Sequence, residues 1–285
     1  MEKTLFVFGM GYSAQALARR LLPQGWRIVG TTRSADKAAR LAAAGIEPVI
    51  WPGDPVGPAL RQATHLLVSI GAGAEGDPVL ACHRAEIAEI APRLAWVGYL
   101  STTGVYGDHQ GGWVDEMTPL APTTERGRWR KLAEDQWRAV PGLPLHVFRL
   151  AGIYGPGRGP FEKVRDGTAR LIVKEGQFMS RIHVDDLAAT LAASIADPAP
   201  GTAYNVCDDE PSPPETVLRH AAQLLGLPPP PEVRFEEAKM TELARSFYLE
   251  SKRVSNRRIR EELGVRLAYP SYREGLAALL ASGQA

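Results

Sequence analysis

The chain has 285 residues, 45% of them hydrophobic and 23% charged, with a formal net charge of +1. That length is ample for one substantial core or two small domains, and the composition is that of an ordinary globular chain. Near-neutral charge excludes a strong global field toward nucleic acid or an anionic membrane. Two cysteines, Cys82 and Cys207, exclude a disulfide framework, and no run of about 18 apolar residues offers a membrane span. The expected setting is a reducing cytoplasm, with a small-molecule partner and neither nucleic acid nor membrane.

Strand-like and helix-like segments alternate from the start. Residues 4–8 form a short apolar strand, and 13–22 have helical spacing (Ala14, Leu17, Ala18, Leu21). Strands are expected at 26–30, 47–51, 65–70, 96–100, 145–150 and 203–206. Helices are expected at 35–44, 78–91, 125–139, 185–195, 215–225 and 256–263. Alternation of near-continuous apolar strands with helices predicts an α/β fold, a doubly wound parallel sheet covered on both faces. Pro-rich turns at 197–201, 211–214 and 228–231 read as connections between packed elements, not disordered linkers.

The junction of the first strand and first helix carries Gly9-x-Gly11-x-x-Ala14, with Tyr12 and Ser13 between. Gly9 permits the tight turn, Gly11 lets backbone approach a diphosphate, and small Ala14 lets helix pack on strand. The helix N-terminus supplies free N–H groups and partial positive charge for phosphates. Position after a strand and before a helix makes the pattern a dinucleotide-binding loop. The end of the second strand selects the dinucleotide. An NAD site places an acid there for the ribose 2′-hydroxyl. This chain reads Gly30-Thr31-Thr32-Arg33-Ser34, without an acid. Arg33 can pair with a 2′-phosphate, and Thr32 and Ser34 can donate to it, which predicts NADP over NAD.

Four later segments extend the pattern: Ser101-Thr102-Thr103-Gly104-Val105-Tyr106-Gly107; Arg149 through Tyr154-Gly155-Pro156-Gly157; Ile182-His183-Val184-Asp185-Asp186; and Tyr204-Asn205-Val206. In order and spacing the chain resembles the short-chain dehydrogenase/reductase superfamily, in its extended, nucleotide-sugar-epimerase-like branch. The resemblance implies a Rossmann-type domain (1–155 with about 181–207) and a smaller, mainly C-terminal substrate subdomain (about 156–180 and 208–285). It implies that Ser69, Ile70, Gly71, Ala72 and Ser101 line the cofactor and that Asp54 sits near the adenine. It puts Thr102 where a hydroxyl bonds the reacting oxygen. It also implies a homodimer through the helix after the fifth strand.

One departure concerns the chemistry. The superfamily carries Tyr-x-x-x-Lys on that helix; this chain reads Glu125-Arg126-Gly127-Arg128-Trp129-Arg130-Lys131-Leu132-Ala133-Glu134. Aligned on Gly127 and Glu134, Arg126 takes the tyrosine position and Arg130 the lysine position. Slipped by one, Lys131 takes the lysine position and Gly127 the tyrosine position. Neither alignment supplies a phenol. Arginine stays protonated and cannot serve as a general base near neutrality. Arg130 remains a candidate for the nicotinamide ribose.

Tyr106, Tyr154 and His109 are the remaining acid–base candidates. Arg253, Arg257 and Arg258 could meet a substrate diphosphate or lie on a solvated helix face. His183-Val184-Asp185-Asp186 reads as a helix start rather than a metal site. Two functions remain open: an NADP-dependent oxidoreductase or epimerase-like enzyme on a small polar or nucleotide-sugar-like substrate, and a cofactor-binding regulator or redox sensor without chemistry.

Overall fold

The computed structural model describes residues 3–285. Seven apolar segments pair in parallel: β1 (Thr4–Phe8), β2 (Arg27–Thr32), β3 (Glu47–Ile50), β4 (His65–Val68), β5 (Trp96–Thr102), β6 (Leu145–Leu150) and β7 (Ala203–Val206). The order across the sheet is β7-β6-β5-β4-β1-β2-β3. Chain progression reverses between β1 and β4, and the crevice at the carboxyl ends of the strands opens at such a point.

Every residue of β1, β4 and β6 is buried, because side chains alternate between two covered faces. Leu5 and Val7 meet Leu17 of α1 (Tyr12–Leu21) and, in the same cluster, Leu187 of the later helix Val184–Ala196. Phe6 and Phe8 belong to the opposite cluster, with Ile87 and Trp137. Those two residues lie on α3 (Pro78–Ile90) and α4 (Glu125–Arg138); α2 (Ala35–Ala43) precedes them, and Val184–Ala196 is α5.

Side chains fix most helix starts. Ser34 caps α2, Asp77 caps α3 and Thr124 caps α4, each accepting from a first-turn N–H. His183 caps α5: its Nδ1 accepts from the Asp185 N–H at 3.2 Å, and Asp185 and Asp186 stand in the first turn.

Beyond the sheet, Phe161, Val217, Tyr272 and Leu276 form a further cluster. It joins the short helix Phe161–Arg165 to α6 (Pro214–Leu224) and α7 (Tyr272–Ala281). Ile259 and Val265 instead belong to the core under the sheet, so residues 256–265 pack back onto the nucleotide-loop side. No helix among the described residues is long and apolar enough to cross a membrane.

Boundaries moved where pairing decides them. β2 runs two residues beyond the expected end because Thr31 and Thr32 pair with Val49 and Ile50. β5 reaches Thr102 because Ser101 and Thr102 pair with Arg149 and Leu150. The expected helix 256–263 contracts to Arg257–Glu261.

Candidate active site

The β1–α1 turn is locked from both sides. Gly9 has φ +86°, and a Cβ there would come 2.7 Å from Ile70 Cγ1, so only glycine fits. The Gly9 N–H donates to Thr31 Oγ1 at 2.7 Å, and the Met10 N–H donates to the Thr31 carbonyl at 2.9 Å. Thr31, which sequence reasoning passed over, therefore ties the loop to β2.

Gly11 is the N-cap of α1 and contributes no capping side chain; no acid stands in the first turn. The backbone N–H groups of Tyr12, Ser13 and Ala14 meet no acceptor among the described residues. A Cβ at Gly11 would find its nearest neighbour 3.8 Å away, at the Gly9 carbonyl. An uncapped helix start beside an open approach fits the diphosphate of a dinucleotide. Tyr12 reaches across, its hydroxyl donating to the Pro156 carbonyl at 3.1 Å, and Arg158 lies 5.6 Å over its ring. Burial raises the Tyr12 pKa, which keeps that donor protonated.

At the end of β2, Thr32 is buried and Arg33 exposed. Thr32 Oγ1 accepts from the Ser34 N–H, and Ser34 Oγ accepts from the Lys37 N–H. Each hydroxyl keeps its own proton to donate. Arg33 has no hydrogen-bond or ion-pair partner among the described residues. Asp54 is exposed and closes the turn after β3, accepting from the Ile50 N–H at 2.9 Å.

A cleft of about 380 Å³ opens beyond the ends of β4 and β5. Gly71, Ala72, Thr102, Arg126 and Arg130 line one side. α4 reaches it because Gly127 lacks a side chain: a Cβ there would lie 2.7 Å from the Gly104 carbonyl and 2.8 Å from Pro122. Thr102 Oγ1 accepts from the Gly104 N–H at 3.2 Å and keeps its proton for the cleft. Arg130 donates to the Leu100 carbonyl, lies 5.7 Å over the Tyr99 ring, and faces Gly71.

The basic run on α4 divides by helix face. Lys131 pairs with Asp135 at 2.8 Å outside the cleft, and Arg128 donates to the Thr123 carbonyl. Of the run, Arg126 and Arg130 line the cleft. The opposite wall comes from distant segments: Phe178, Phe247, Glu250 and Lys252. Lys252 Nζ pairs with Glu250 Oε2 at 2.8 Å, and Thr123 Oγ1 donates to Glu250 Oε1 at 2.7 Å. No sequence signal marked this wall; it is assembled by β-pairing of Arg253–Val254 with Trp113–Val114.

Tyr106 is corrected as a catalytic candidate. It is fully buried, outside the cleft, donating to Asn205 Oδ1 at 2.7 Å and accepting from Arg149 Nη1 at 3.0 Å. Burial also raises its pKa. Ser101 is buried with its hydroxyl donated to Glu134 Oε1, so it faces α4 rather than the cleft. Ser69 and Ile70 stand against Gly9. Tyr154 is buried against Ser271, its hydroxyl donating to that carbonyl at 3.2 Å. His109 Nε2 lies 3.2 Å from the Tyr106 carbonyl, away from the cleft. Arg253 stacks 3.6 Å over Phe178, while Arg257 and Arg258 pair with Glu261 and Glu262 one turn on.

No protein-family model matches the chain. Protein YeeZ of Escherichia coli K12 is 29% identical over 280 residues, 94% of this chain and 97% of that protein. A 3-diazoavenalumate denitrifying reductase of a Streptomyces species is 33% identical over 182 residues, 57% of this chain and 58% of that protein. Among solved structures, a functionally unknown conserved protein from Silicibacter pomeroyi is 60% identical with TM-score 0.94, covering 99% of this chain and 100% of that one. A putative NAD-dependent epimerase/dehydratase from Methylobacillus flagellatus is 27% identical with TM-score 0.70, covering 100% and 99%.

The structural neighbours are NAD-dependent epimerase/dehydratases of the extended short-chain dehydrogenase/reductase superfamily, and a reductase relative also matches. A more distant neighbour, UDP-glucuronic acid 4-epimerase from Bacillus cereus in complex with NAD, shares the fold at 14% identity and TM-score 0.77 over 96% of each chain. This cleft is marked by the guanidinium pair Arg126 and Arg130 on one wall.

Proposed function

We propose that the chain is an NADP-dependent oxidoreductase or epimerase-like enzyme acting on a small polar or nucleotide-sugar-like substrate. The observation that carries this reading is the uncapped start of α1, with three unpartnered N–H groups beyond Gly11. The reductase relative and the epimerase-like neighbours support the reaction class. The absence of an acid in the stretch 30–34, and an exposed Arg33 without a partner among the described residues, support NADP.

Bound there, a nicotinamide dinucleotide supplies or accepts a hydride. The α1 amides and Gly11 bind the diphosphate. Arg33, with Thr32 and Ser34, takes the 2′-phosphate. Arg130, fixed by Leu100 and Tyr99, offers its remaining N–H groups to the nicotinamide ribose. Thr102 orients the reacting oxygen with its free proton. Arg126 supplies charge but no proton exchange, since a guanidinium holds its proton throughout the working range.

One observation favours a second reading, a cofactor-binding redox sensor: no tyrosine lines the cleft among the described residues. The test is titration with NADPH and NADP, then a screen of carbonyl and hydroxyl compounds by the absorbance of the reduced nicotinamide. Binding with turnover supports the enzyme. Tight NADPH binding without turnover of any compound supports the sensor. Failure to bind NADP(H) or NAD(H) contradicts both.

A further inference from the structure

α4 turns two arginines toward one wall of the cleft. Arg126 and Arg130 are one helical turn apart and share a face. Arg130 is engaged by the Leu100 carbonyl and the Tyr99 ring. Arg126 has no carboxylate or carbonyl partner among the described residues; its guanidinium rests 5.9 Å over the Phe247 ring. Lys252, the remaining cation of the cleft, is neutralised by Glu250 at 2.8 Å, and Glu250 is the sole acid lining it among the described residues. Three cations therefore face one carboxylate that is already paired.

Such an excess has a chemical meaning. A guanidinium cannot relieve an uncompensated charge by losing its proton. Trp129, Phe178 and Phe247 border the cleft, and Arg126 and Phe247 stand exposed at its mouth, where an anion can reach the guanidinium. The planar fork of one arginine matches a carboxylate in bidentate fashion. A phosphate dianion calls for more donors, and Lys252 is committed to Glu250. The aromatic walls favour a flat, apolar body.

We propose that Arg126 is a carboxylate-recognition residue and that the substrate is a small organic acid with a planar apolar body. This rests on the reading of the cleft as the substrate side of a dinucleotide site, and it selects the small-polar-substrate branch of that reading. Arg126 thus binds substrate at the position where the superfamily exchanges a proton.

The test is isothermal titration of the full chain with 2-naphthoate, its uncharged amide and 2-naphthyl phosphate, with and without saturating NADPH. The carboxylate binds about tenfold or more tighter than either analogue, the scale of a lost charge-assisted hydrogen bond. Arg126→Gln brings it to the level of the amide. Arg126→Lys, which keeps the charge without the fork, loses most of the preference. Lys131→Gln, which removes one charge outside the cleft, leaves the preference intact. No detectable naphthoate binding, equal binding of acid and amide, tighter binding of the phosphate, or a preference surviving Arg126→Gln overturns the proposal. A failed NADPH titration with intact naphthoate selectivity removes the cofactor reading alone, and the converse result removes this one alone.

Discussion

Arg149 on β6 and Glu134 on α4 form a buried ion pair, Nη2 to Oε2 at 3.0 Å and Nε to Oε1 at 3.3 Å. Glu134 also accepts from Ser101, and Arg149 donates to Tyr106, which donates to Asn205. Residues of three motifs thus moor α4 to the sheet. Removing one partner of a buried pair strands the other charge and costs about 3–5 kcal/mol. Glu134→Ala is expected to lower stability by that amount in urea unfolding. A midpoint shift near zero would show that the pair does not anchor α4.

That network explains what the sequence could and could not reveal. The central strands were legible because they are apolar runs buried on both faces, as in β1, β4 and β6. The Gly9–Ala14 loop was legible because its chemistry is local. Tyr106 looked like an acid–base candidate because its partner Asn205 lies 99 residues away. The cleft wall at Phe178, Phe247 and Lys252 left no signal, since it exists only once Arg253–Val254 pairs with Trp113–Val114. The contribution of Thr31 was hidden for a milder reason: a threonine in a strand end carries no mark of the glycine loop it will hold.

Asp208 is buried. Burial pushes its carboxyl up to about 8 from 3.8, against the opposing pull of the Arg181 charge and the Glu210 backbone N–H, with the Asp209 and Glu210 charges adding to the rise. The unfolded chain ionises near the lower value and the folded chain near the higher. Between them the unfolded state binds fewer protons, so this group makes stability fall as pH rises through that window. Asp208→Asn removes the penalty. It is expected to change little at the acid end and to stabilise by on the order of a few kcal/mol at the alkaline end. Urea midpoints for both chains across that window check it; parallel pH slopes would contradict it.

Arg33 stands exposed after β2 without a partner among the described residues. Arg33→Ala is expected to weaken NADPH binding roughly tenfold to a hundredfold, the range of a lost charged hydrogen-bond pair. NADH, which lacks the 2′-phosphate, keeps its affinity. Fluorescence titration with both nucleotides gives the ratio. Unchanged NADPH affinity, or wild-type preference for NADH, would reverse the cofactor assignment.

The most direct measurement concerns Gly11. Its backbone φ is ordinary at −85°, and a Cβ there would have no neighbour closer than 3.8 Å. Gly11→Ala therefore leaves the fold undisturbed, while its methyl group stands where backbone must approach a diphosphate. Thermal unfolding and NADPH affinity are measured on the same variant. An unchanged melting temperature with NADPH binding weakened by roughly tenfold or more is the predicted result. Unchanged NADPH affinity in a stably folded Gly11→Ala chain would contradict the claim that this loop holds the dinucleotide.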